Sequence, residues 1–99
     1  MSEKVENRNR AVLSAAIELA QERGFANITR DLVATRAGVA AGSVNNAFGN
    51  MDALRDAVMA HAVDEGLVEI VGQGLAAGHP AARRAPEDLK RDALAALVA

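Results

Sequence analysis

The sequence predicts an all-α fold: a three-helix helix-turn-helix domain followed by one long helix and a short C-terminal helix. Three observations carry that expectation. Apolar residues recur at helical spacing in successive stretches, and nothing alternates as a strand would. Glycine and proline punctuate those stretches at Gly24, Gly38, Gly49 and Gly78-His79-Pro80. Arg30 to Gly49 also meets the separate demands of two short helices crossing at a tight turn. Gly38 sits where the turn needs positive φ, and the small Ala34 lies four residues earlier, where the helices approach. Val33, Ala37, Val39, Val44 and Ala47 fall where apolar groups pin one helix to the other.

The first helix is expected from about Asn9 to Arg23, with Val12, Leu13, Ala16, Ile17 and Ala20 on one stripe and Asn7 or Asn9 as its cap. Gly24 stops it, and Phe25 folds back on its end. Ala26-Asn27-Ile28 connects to a second helix capped by Thr29, with Asp31 in the positive first turn. That helix ends at Gly38, and the third runs from about Ala41 to Phe48. Gly49-Asn50 breaks the chain, and Asp52 opens a fourth helix through Leu54, Val58, Ala62, Leu67, Val68 and Val71, ending near Gly72 or Leu75, with Gly66, Gly72, Gly74 and Gly78 weakening its later turns. After the break at Gly78-His79-Pro80, Pro86-Glu87-Asp88 starts a last helix with its stripe on Leu89, Ala93, Leu94, Leu97 and Val98.

Ninety-nine residues make one compact domain, organised as a helix-turn-helix region (1–50) and a helical dimerisation region (51–99). Two Phe, no Tyr and no Trp leave a core of small side chains, which association into a homodimer through the helices after residue 51 would strengthen. The absence of cysteine excludes disulfides and thiolate metal sites. No run approaches the roughly 18 apolar residues of a membrane span. The polar N-terminus lacks the apolar centre of a signal peptide, so the expected compartment is the cytoplasm. The net charge is −2; residues 1–50 carry six basic and five acidic side chains, residues 51–99 five and eight. The half with the helix-turn-helix is thus only slightly the more basic, a modest means of neutralising phosphate.

No catalytic constellation emerges. Ser14 and Ser43 have no His/Asp partners at a useful spacing, and His61 and His79 stand without companion ligands for a metal. Asp64 and Glu65, adjacent on a helix, point apart. Gly72-Gln73-Gly74 lacks the strand that a phosphate loop needs. Neither an enzyme activity, a metal nor a cofactor is expected.

The order of Gly24-Phe25, Thr29, Ala37-Gly38-Val39, Gly42-Ser43, Phe48 and Leu54 resembles the N-terminal DNA-binding domain of the tetracycline-repressor-like (TetR-type) family, over about Ala11 to Val58. The resemblance implies that the third helix enters a DNA major groove. It makes Thr29, Arg30, Ala41, Gly42, Ser43, Asn45 and Asn46 the candidate DNA-binding residues. Asn45 and Asn46 are suited to paired hydrogen bonds with adenine, or form a solvated polar face. Ser43 reaches a phosphate or bonds back to its own helix. Ala41 and Gly42 admit close approach to DNA, or serve economical packing. Thr29 is first a helix cap, with a phosphate within reach of its helix start. Arg30 and Arg36 are phosphate contacts or surface charges, and Lys4, Arg8 and Arg10 form a basic N-terminal arm or a frayed terminus.

Three positions depart from the family pattern, each at a place that grips phosphate there: Ala40 for a serine, Asn45 for a tyrosine and Met51 for a lysine. The 50 residues after Gly49 also leave no room for the family's large effector-binding domain, so no small-molecule effector is expected. The function expected is a homodimeric, sequence-specific regulator of transcription on double-stranded DNA, acting as a repressor. The alternative is a protein-interaction module on the same fold that modulates another regulator without touching DNA.

Overall fold

The computed structural model describes residues 3–98. Seven α-helices and one 3-10 turn make up the ordered elements among them, with no strand. Helix α1 spans Glu3–Arg23, the 3-10 turn Phe25–Asn27, α2 Arg30–Ala37, α3 Ala41–Phe48 and α4 Met51–Glu65. Then come α5 at Val68–Ala77, a single turn α6 at Pro80–Arg83, and α7 at Glu87–Val98.

Helix α1 is the axis of the N-terminal half. Val12, Ala15, Ala16, Leu19 and Ala20 are buried along it, while Leu13 and Ile17 of the expected stripe are only partly buried. The helix begins earlier than the sequence suggests. Asn7 and Asn9 lie inside it rather than capping it, and Lys4, Arg8 and Arg10 belong to its first turns instead of a loose arm. Glu3 and Glu6 occupy the positive end of the helix dipole, and no glycine or proline interrupts the run. At the other end, Gly24 turns the chain with φ 97° and Phe25 drops into the core.

Helices α2 and α3 form the expected crossing. Gly38 takes the left-handed conformation (φ 73°, ψ 34°) that closes α2, and the Val39 N–H bonds back to the Ala34 carbonyl at 3.0 Å. Val33, Ala34 and Val44 are buried at the crossing, with Ala37, Val39, Ala41, Ala47 and Phe48 packed around them.

The long fourth helix is not one helix. Gly66, at φ 67° and ψ 36°, ends α4 in a left-handed cap, and the Leu67 N–H returns to the Ala62 carbonyl at 2.8 Å. The apolar spacing continues through Leu67, Val68 and Val71 because α5 packs on the same core, so periodicity alone conceals the turn. The short helix α6 is a further addition, leaving three helices rather than one after α4. Helix α5 packs most extensively against α7. Gly72 makes this approach close: a Cβ there would stand 2.7 Å from the Ala93 carbonyl oxygen. Gly74 faces Met59 of α4 and Ala82 of α6 in the same way.

One core runs through both halves. Val12, Leu19, Ile28, Leu54, Met59, Ile70 and Val71 are all 2% exposed or less. Two side chains also cross from the C-terminal half to the start of the connector between α1 and α2. Gln73 Oε1 accepts from the Phe25 N–H at 2.5 Å, and the His79 ring meets the Phe25 ring edge-on at 5.8 Å.

Candidate nucleic-acid interface

Thr29 caps α2, its Oγ1 accepting the Leu32 N–H at 3.2 Å. Asn50 does the same for α4, its Oδ1 accepting the Ala53 N–H at 2.8 Å. The sequence names Asn50 only as part of a break, yet an asparagine three residues before a helical N–H is a recognisable cap. The two capped helix starts lie on either side of a shallow notch of about 410 Å³ lined by Thr29, Arg30, Asp31, Asn45, Asn50 and Met51. Each helix start presents the positive end of a backbone dipole.

Between them stands α3. Val44 holds it in the core, and Ala41, Ala47 and Phe48 pack beside it. Gly42 and Asn46 lie exposed on its outer side, with Ser43 and Asn45 half-buried. Ala40 at its N-terminus offers no side-chain cap; its carbonyl accepts the Ser43 N–H at 2.9 Å, closing the first turn. A Cβ built on Gly42 would meet nothing within 4 Å. Economical packing therefore does not account for that glycine, in contrast to Gly72 and Gly74.

The candidate residues thus divide by position. Thr29, Arg30 and Asn45 border the notch, and Ala41, Gly42, Ser43 and Asn46 belong to α3 beside it. Arg30 is half exposed at 49%, with Asp31 at 3.9 Å as an ion-pair neighbour. Arg36 is placed elsewhere. Its guanidinium binds Glu22, with Nη2 3.0 Å from Oε1, and Nη1 reaches Glu18 Oε1 at 3.1 Å. It ties α2 to α1. The bond to Arg36 holds the Glu22 carboxyl below its ordinary pKa, and the two glutamates raise that of Arg36.

His79 is occupied structurally. It caps α6, its Nδ1 accepting the Ala81 N–H at 3.1 Å, which leaves Nε2–H to donate to Asp56 Oδ1 at 2.8 Å. No group of three or more His, Asp or Glu among the described residues is arranged to hold a metal ion. No helix among them is long and apolar enough to cross a membrane.

Residues 12–58 match the model of the family described as bacterial regulatory proteins, tetR family. This stretch is a TetR-type helix-turn-helix domain. It covers just under half of the chain and runs from the second half of α1 through the first half of α4. TetR-type domains are the DNA-binding part of transcription regulators. No curated protein and no solved structure matches the chain.

Within the TetR-type domain, the three departures from the family pattern fall at the start of α3 and on the notch. Ala40 leaves α3 without a side-chain cap, and Asn45 and Met51 both line the notch. The notch is consequently poorer in cations than the family pattern implies, with Arg30 on its rim and Met51 in place of a lysine.

Proposed function

We propose that this chain is a sequence-specific repressor that binds double-stranded DNA as a homodimer. Helix α3 of each protomer lies in a major groove, and the two half-sites stand about one helical turn apart. The observation that carries this reading is the outer side of α3. Packing does not require Gly42 to be a glycine, and the bare backbone there admits close approach to a groove wall. Asn45 and Asn46 follow one turn later with amides suited to adenine. Thr29, Arg30 and the starts of α2 and α4 receive phosphates through backbone and hydroxyl donors, and Ala41 and Ser43 lie against the groove wall. Repression follows by occluding the promoter, in the cytoplasm, with no small-molecule effector.

Residues 51–99 supply the dimer contact in this reading. Leu94, Leu97 and Val98 are 53%, 42% and 87% exposed on α7, an apolar surface that a second copy would cover.

A salt titration of binding to duplex DNA tests the reading. Affinity for random duplex should fall steeply as salt rises, and a selected operator should bind more tightly than random sequence at every salt concentration. Failure to bind any duplex at low salt refutes the proposal and favours a module that acts on another regulator. The double variant Asn45→Ala, Asn46→Ala should lose preference for the operator more than affinity for random DNA; equal loss on both sequences refutes base reading.

A further inference from the structure

Arg55 lies in the second turn of α4 and reaches across to the connector before α2. Its Nη2 donates to the Ile28 carbonyl at 3.1 Å, and its Nη1 stands 3.4 Å from Asp52 Oδ1. Ile28 is 1% exposed and immediately precedes Thr29, the cap of α2. Asp52 lies in the first turn of α4. One forked side chain therefore spans the two helix starts that border the notch beside Asn45. The guanidinium suits this task because its planar fork presents donors in two directions at once, which an ammonium on a flexible stem does not reproduce. Its side chain is 33% exposed, and Nη1 and Nη2 each have a partner within the protein.

We infer that Arg55 is a positioning residue for DNA binding: it holds the start of α2 against the start of α4, and so sets the shape of the notch, without contacting DNA itself. The inference rests on the DNA-binding reading of α3. It assigns a role to a cation that simple charge counting would place on a phosphate.

The test uses Arg55→Met, which keeps an apolar stem and removes the donors, and Arg55→Lys, which keeps the charge and loses the fork. In the free protein, the Leu32 and Val33 amides, both bonded to Thr29, should exchange with solvent several-fold faster in each variant, while the Leu19 amide in α1 keeps its rate. Both variants should lose about tenfold in operator affinity. The dependence of log affinity on log salt should keep its wild-type slope, because no phosphate contact has been removed.

Unchanged exchange at Leu32 and Val33, or equal acceleration in α1, overturns the positioning role. So does a Lys variant that binds as the wild type does, or a slope reduced by about 0.9, since either marks a direct phosphate contact. A wild-type chain that binds no duplex at low salt refutes the DNA reading and this role with it. The exchange measurement keeps the two failures apart, because local acceleration would then show a tie between α2 and α4 that serves no DNA.

Discussion

Gly42 and Gly72 are both helical glycines, and they take the same substitution in opposite ways. Alanine at Gly42 meets open space, so it gains the helix propensity that glycine forgoes, about 0.5–1 kcal/mol. Gly42→Ala should therefore raise the midpoint of thermal unfolding while weakening operator binding, because the added methyl stands between α3 and the groove. A variant that is more stable and binds as tightly as the wild type would show that close approach at Gly42 is not needed. Alanine at Gly72 meets the Ala93 carbonyl oxygen at 2.7 Å, a backbone atom that moves only if α7 moves. Overpacking of this kind costs about 1–3 kcal/mol, more than the propensity gained. Gly72→Ala should lower the denaturant midpoint, and an unchanged or raised midpoint would mean that α7 yields freely. Their sequence positions do not tell these two glycines apart in energy; only the neighbours give their signs.

At the scale of elements, caps and stops were legible because they depend on one or two residues and the local backbone. Thr29, Gly38, Gly49 and Asp52 sit where the sequence places them. Gly66 reads in the sequence only as a weak point of one long helix, because Leu67 and Val68 continue the apolar rhythm into α5 and rhythm carries no mark of a change in direction. The tie between α1 and α2 was equally invisible, since Arg36 lies 14 residues from Glu22 and 18 from Glu18. This tie has a pH signature. The folded state lowers the Glu22 pKa from its ordinary 4.5, chiefly through the hydrogen bond from Arg36. Its contribution to stability is therefore complete above that value and is lost as pH falls through the lowered folded pKa. Glu22→Gln should flatten the loss of stability on acidification below about pH 4.5 relative to the wild type, as followed by helical circular dichroism in urea. Identical acid limbs in the two proteins would show that the bond forms no net linkage.

At the scale of the whole molecule, the core joins the TetR-type domain to everything after it. Gln73 and His79 hold Phe25 from outside residues 12–58, so the helix-turn-helix is buttressed by α5 and α6. The proposed dimer is also a property of this scale. Sedimentation should give a dimer at micromolar concentration, and Leu94→Lys with Val98→Lys should shift it toward monomer without loss of helix content. A wild-type monomer at that concentration would remove α7 as the dimer face.

The sequence by itself determined the all-α class, the crossing of α2 and α3 and the cap at Thr29. These follow from backbone demands and periodicities that act within a few residues. Tertiary structure decided the break at Gly66, the opposite meanings of Gly42 and Gly72, and the engagement of Arg36 with Glu18 and Glu22. It likewise decided the reach of Arg55 to the Ile28 carbonyl. Each of these depends on what stands across a gap of a few ångströms from a partner distant in the chain, and such partners leave no periodic trace in a single sequence.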